Sequence, residues 1–134
     1  MITIYDSAAM AHVLAGPIDA DLKTILQDRM ELLAEFLGEW DLGDLAHFVI
    51  VEPGDNIEAI ERELTISPFV NRVDGARFPE RGFVPNSEFC IARAGYYDMT
   101  FALSDAGPNL CLLVPDRDDI EPRLLELCRT YATH

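Results

Sequence analysis

Between Tyr96 and Val114 the sequence has the pattern of two strands joined by a turn. Every second residue from 97 to 103 is large and apolar, which is the alternation of a half-buried strand. Residues 104–109 are rich in turn formers, and residues 110–114 then form a short apolar run. We therefore predict an antiparallel hairpin, with strands 96–103 and 110–114, at the centre of a sheet.

Residues 45–51 form a third predicted strand. Its centre, residues 48–51, is apolar on both faces, which is typical of a strand inside a sheet that is covered on both sides, at least at that point. The dipeptide Asp74-Gly75 is of the kind that closes two-residue turns, so a further hairpin is predicted near 69–78.

Three helices are predicted from apolar residues that recur at three- and four-residue steps. The longest spans 19–37, begins with acidic residues that favour a helix N-terminus, and is closed by Gly38. The second spans 55–64, where Asp55 and Glu58 have the spacing of a capping box. The third spans 119–131 and carries a proline in its first turn, where no amide hydrogen is needed.

Two segments fit either a helix or a strand. In residues 1–16, Asp6 or Ser7 is a suitable cap for a short helix, whereas the isoleucines before them fit a strand. In residues 87–95, Ser87 is a good helix cap and Gly95 a good helix stop, but the apolar residues between them also alternate. We favour a helix for 87–95.

These elements predict an α+β fold in a single domain spanning 1–134. The expected architecture is a two-layer sandwich in which a small mixed or antiparallel sheet is covered by the three helices. A chain of 134 residues is long enough to form one ordinary core without a disulfide or a metal.

The formal net charge of -14 is the strongest compositional feature. A surface with this much negative charge repels phosphate backbones and anionic lipids. We therefore expect neither direct nucleic-acid binding nor membrane binding, whereas docking to a basic partner is favoured. The three cysteines are widely spaced among apolar residues, and the N-terminus has no pattern of a secretory signal. A cytoplasmic location is predicted.

An acidic stretch from Asp28 to Glu63 holds eleven acids and only two arginines. From it we predict partner-docking residues on the loop and helix after the third strand, namely Glu52, Asp55 and Glu58. The locally basic segment adds Arg72, Arg77 and Arg81, whose guanidinium groups suit carboxylates or phosphates. The structural alternative is that the acids line solvated helix faces and the arginines pair with them.

The sequence predicts no metal site and no cofactor. Two acidic loops, one with Glu52 and Asp55 and the other with Asp116, Asp118 and Glu121, are the best candidates for a divalent cation site. Turn and cap formation already account for these acids. The spacing of an EF-hand loop is missing.

Catalysis has little support in the sequence. His12 and His47 have no accompanying catalytic motif, and there is no nucleophile elbow, phosphate-binding loop or dinucleotide fingerprint. We therefore favour a non-catalytic acidic module that docks a basic protein, as an immunity protein, antitoxin or regulatory subunit does. The alternatives are a small-molecule or metal-dependent enzyme whose site assembles only in three dimensions, and a nucleic-acid mimic. A homodimer through an edge strand is also possible.

Overall fold

A computed structural model of the chain describes residues 1–66, 90–102 and 109–132. The hairpin predicted near 69–78 and the three arginines of the basic segment (Arg72, Arg77 and Arg81) lie outside these ranges. Within them, the chain forms one mixed sheet with helices on both of its faces.

The described residues contribute five strands to the sheet. They are β1 (Ile2–Ile4), β2 (Ala46–Ile50), β3 (Cys90–Arg93), β4 (Tyr96–Ala102) and β5 (Asn109–Pro115). The strand order is β1-β2-β5-β4-β3. β2 and β5 are parallel, and all other neighbours are antiparallel. The predicted hairpin is confirmed as β4 and β5, and the predicted strand 45–51 as β2.

Five helices accompany these strands in the described part of the chain. They are α1 (Ser7–Ala15), α2 (Ala20–Leu33), α3 (Leu42–Leu45), α4 (Ile57–Ile66) and α5 (Pro122–Tyr131). Asp6 caps α1, because its Oδ1 accepts a hydrogen bond of 2.7 Å from the amide of Ala9. Asp19 caps α2 through the amide of Leu22. Residues 1–16 therefore contain both of the predicted alternatives, a strand and then a helix.

Alternation in β2 and β5 sends their side chains into two separate cores. On one face, Val49 and Leu112 belong to a buried cluster with residues of α4 and α5. On the other face, Phe48 and Leu113 belong to a cluster with residues of α1, α2 and α3. The α+β class and the mixed sheet are confirmed, but helices cover both faces instead of one. The physical reason is that every residue of β2 is buried, so each face requires its own cover.

The helix favoured for 87–95 is wrong over residues 90–93, which form β3 beside β4. Ala94 and Gly95 have φ angles of 50° and 78°, so both central residues of the turn are left-handed. Two-residue hairpins favour such a turn because its twist matches that of the strands. Gly95 therefore closes a hairpin rather than ending a helix.

The helix predicted over 19–37 ends at Leu33, and residues 34–40 continue as turns. These turns are still closed by hydrogen bonds between nearby backbone groups, such as that of 3.0 Å from the amide of Trp40 to the carbonyl of Phe36. Phe36, predicted as part of the core stripe, is 46% exposed. The apolar pattern alone did not distinguish a buried phenylalanine from an exposed one.

Two predictions about helix starts are also corrected. Asn56 caps α4, since its Oδ1 accepts a hydrogen bond of 2.7 Å from the amide of Ala59, whereas Asp55 accepts one of 2.8 Å from the amide of Glu52. The one-turn helix α3 was not among the three predicted helices, and its capping box joins Asp41 and Asp44.

Candidate functional site

Two of the predicted docking residues bind the amino group of Met1. The Met1 nitrogen lies 2.7 Å from Glu52 Oε1 and 3.1 Å from Asp55 Oδ2. Burial lowers the pKa of this ammonium, but hydrogen bonds to the two carboxylates outweigh burial, so the pKa is raised overall. Glu52 and Asp55 are therefore already matched by a positive charge of the chain.

The third predicted residue, Glu58, lies 3.2 Å from Arg123 of α5. A hydrogen bond from its own backbone amide and the one from Arg123 lower the pKa of the Glu58 carboxyl. This contact brings the helix after β2 to the helix after β5, as expected for the carboxyl ends of parallel strands.

The acids of the second loop also have cations. Asp116 lies 2.9 Å from Arg129, Asp119 lies 2.8 Å from Arg117, and Glu121 lies 3.3 Å from Nε of Arg123. No group of three histidines, cysteines or acids suited to a metal ion occurs among the described residues. The acids considered as cation ligands thus make ion pairs within the chain.

A different surface holds three large apolar side chains that are open to solvent. Leu32, Phe36 and Trp40 are 70%, 46% and 55% exposed. Backbone hydrogen bonds from Leu37 to Leu33 and from Trp40 to Phe36 keep the turns after α2 close to helical spacing, in which residues four apart lie on nearly the same side. We call these three residues the apolar stripe. The next residues, Leu33 and Leu37, pack against the core cluster below α2 instead.

Three exposed glutamates, each one residue before a member of the apolar stripe, form a parallel acidic stripe: Glu31, Glu35 and Glu39. Among the ion pairs of the described residues, none includes these glutamates. We call the two stripes together the docking surface. It differs from the acidic loops because its charge is not matched within the described chain.

Sequence reasoning found only part of this surface. The three glutamates were inside the predicted acidic stretch, but Leu32 and Trp40 were not recognised as functional candidates. Their spacing gave no signal, because Trp40 lies three residues after Leu37 and Leu32 lies seven after Ile25, steps that also occur among core-facing residues.

A buried polar cluster lies beneath α2. Asp98 of β4 is only 3% exposed, and its Oδ2 accepts a hydrogen bond of 2.5 Å from Nη2 of Arg29. The same Nη2 lies 3.4 Å from Thr100 Oγ1. The other carboxylate oxygen, Asp98 Oδ1, is buried and accepts no hydrogen bond from the described residues. A buried polar atom that makes no hydrogen bond is rare in proteins.

Cys111 is the thiol of this cluster, since it is opposite Thr100 in the register of β4 and β5. Burial raises the pKa of its thiol to about 11, and the nearby guanidinium of Arg29 offsets only part of that effect. The thiol is therefore protonated at neutral pH, and a protonated thiol is a poor nucleophile.

His47 of β2 is buried, with Nε2 lying 3.2 Å from the carbonyl oxygen of Gly43. Its ring centroid lies 4.7 Å from that of Tyr5. Burial lowers the pKa of the imidazole, which the hydrogen bond to Gly43 only partly offsets. His47 thus links β2 to α3 as a neutral core residue.

Within the described ranges, no helix is both long and apolar enough to cross a membrane. No protein-family model, curated protein or solved structure matches the chain.

Proposed function

We propose that the protein is a non-catalytic acidic module that docks a basic protein partner, as an immunity protein, antitoxin or regulatory subunit does. The observation that supports this proposal is the docking surface, where three exposed apolar side chains run beside three glutamates that lack ion pairs among the described residues. We place the module in the cytoplasm, because Cys111 and Cys128 are buried cysteines that form no disulfide among the described residues.

The apolar stripe supplies the area that a partner would bury. Aromatic side chains such as Phe36 and Trp40 are enriched at the energetic centres of interfaces, and buried apolar area stabilises a complex by roughly 25 cal/mol per Å² before the costs of association. Solvent contact of three such residues in a row carries a free-energy penalty that docking would remove.

The acidic stripe supplies selectivity for a positively charged partner. Complementary charge raises the association rate and disfavours wrong partners, and its effect decreases with salt. Glu52, Asp55 and Glu58 belong to the same acidic chain, but their own cations reduce their value as direct contacts. We propose that these three residues add to the attractive field around the docking surface.

A capture experiment from the source cells tests the proposal. The wild-type protein should retain a basic protein in stoichiometric amount at low salt and lose it at high salt. The triple variant should fail to retain the partner at low salt as well as at high salt. It carries Leu32→Gln, Phe36→Gln and Trp40→Gln. Ile91→Gln, which replaces an exposed isoleucine on β3, is the matched control and should retain it. Equal capture by the triple variant, or capture of no basic protein, would refute the proposal.

One observation favours a second candidate, a small-molecule site assembled in three dimensions. The buried Oδ1 of Asp98 accepts no hydrogen bond from the described residues, and Arg29 beside it is still 24% exposed. A ligand that donates a hydrogen bond there would raise the melting temperature of the wild type but not of Asp98→Asn. A thermal-shift screen with both proteins separates this candidate from the first.

A further inference from the structure

We infer that the partner presents an amphipathic, basic α-helix to the docking surface, an inference that rests on the proposed function. The residues of the apolar stripe and those of the acidic stripe both recur every four positions, between Glu31 and Trp40. An interface of this form is matched by a second helix whose apolar and basic residues recur at three- and four-residue steps.

Backbone chemistry favours a helix over an extended peptide. The surface lies on α2 and the turns after it, where backbone amides are bonded to carbonyls nearby, for example Leu37 to Leu33 and Glu39 to Phe36. It thus presents no strand edge, and an extended partner would cover the apolar stripe with backbone groups that lose their water. A helix bonds its own backbone and brings only side chains to the contact.

The two sides of the apolar stripe set the pattern of charge on the partner. On one side lies the acidic stripe, which is exposed. On the other side lie Leu33 and Leu37, which pack into the core cluster. Lysines or arginines of the partner can therefore meet carboxylates on one flank only. Each stripe spans eight residue steps, so we expect a partner helix of roughly two to three turns to cover it.

A second copy of this chain does not fit the same position. Docking two copies through this surface would bring the acidic stripe of one copy close to that of the other, and like charges across a contact are unfavourable. The chain carries a formal net charge of -14, so the rest of the molecule adds to that repulsion. Charge complementarity thus selects a partner of opposite sign.

Trp40 provides the reporter, because it is the single tryptophan of the chain and is 55% exposed. Its fluorescence should be followed while three synthetic peptides of about 14 residues are added. The first peptide is an amphipathic helix with leucines on one face and lysines beside them. The second has the same composition with the apolar positions scrambled, and the third has glutamates in place of the lysines.

Saturable binding with a blue shift of the Trp40 emission is expected for the first peptide alone. Its affinity should fall at least tenfold between about 50 and about 300 mM salt, because salt screens exposed charges. Glu31→Gln, Glu35→Gln and Glu39→Gln together should cause a similar loss. The matched control Asp118→Asn, Asp119→Asn and Glu126→Gln makes the same change of charge on the α5 side and should leave the affinity within twofold.

Equal binding by the scrambled peptide would overturn the helical inference, and so would failure of all three peptides to bind. Neither result would refute the proposed function, which is decided separately by the capture of a basic protein through the apolar stripe. If the wild-type protein bound the first peptide but captured no basic protein, the proposed function would be refuted instead.

Discussion

Arg29 on α2 donates a hydrogen bond to Asp98 on β4, although 69 residues separate them in the sequence. The Asp98 side chain is 4% exposed and that of Arg29 is 24% exposed, so the carboxylate is buried while the guanidinium keeps some contact with water. It fixes α2 against the sheet, and α2 leads directly into the docking surface. The ion pair therefore connects the stability of the fold to the position of the proposed interface.

Arg29→Met should destabilise the protein by roughly 3–5 kcal/mol, because it leaves a buried carboxylate without its cation. The matched control is Arg93→Met, which removes an ion pair with Asp28 whose side chains are 35% and 42% exposed. Exposed pairs contribute about 0–1 kcal/mol. Urea denaturation of both variants measures the difference. An equal decrease in the free energy of unfolding in the two variants would show that the Arg29–Asp98 pair stabilises the fold no more than an exposed ion pair does.

Gly43→Ala should lower the free energy of unfolding by roughly 1–3 kcal/mol, the usual cost of overpacking. A Cβ at this position would lie 2.3 Å from the backbone carbonyl oxygen of Tyr5, and one of the two chain segments would have to move. Gly38→Ala is the control, since nothing lies within 4 Å of a Cβ there. Thermal melts should separate the two variants, and a stable Gly43→Ala protein would contradict the close packing of α3 against Tyr5, which follows β1.

Ala94→Asn should stabilise the protein by about 0.5–1 kcal/mol. Ala94 has a φ of 50°, which costs an alanine more than an asparagine, and Asn-Gly is the preferred dipeptide of this turn. The side chain is exposed, so no packing is lost. Denaturation curves should shift to higher denaturant at an unchanged slope. A shift to lower denaturant would mean that the turn differs from the one described.

Stability should decrease as the pH falls below about 6.5, the ordinary pKa of histidine, because burial lowers the pKa of His47 in the folded state. Above that value both states hold a neutral imidazole. Below it the unfolded chain takes up a proton that the folded chain resists, so unfolding is favoured until the pH passes the folded-state pKa. His47→Gln, which retains a donor for Gly43, should make the decrease in stability between pH 7.5 and 5.5 smaller. An unchanged pH profile in the variant would contradict a buried neutral His47.

Much of the fold follows from short-range rules that the sequence displays. Alternation located β4, a short apolar run located β5, and the fully apolar centre of β2 indicated cover on both faces of the sheet at that point. Acidic caps located the starts of α1 and α2. These signals are local, because a cap or an alternating strand is decided by neighbours in the chain.

The remaining features depend on contacts between distant residues. The residues around 94 do not show that β3 pairs with β4. The sequence of 87–95 therefore fitted a helix as well as a strand. Likewise, the loop acids could not be separated from the acidic stripe until their cations, Arg123, Arg129 and the Met1 ammonium, were placed. Ion pairing in three dimensions, rather than the density of acids, distinguishes the docking surface.

Photo-crosslinking in the source cells tests the proposed interface most directly. A photoreactive phenylalanine analogue should replace Phe36 in the apolar stripe, and in a second protein Glu126, which is exposed on α5. The account predicts that residue 36 crosslinks to one basic protein and that residue 126 does not. A crosslink to that protein from residue 126 alone, or crosslinks from residue 36 only to acidic proteins, would contradict it.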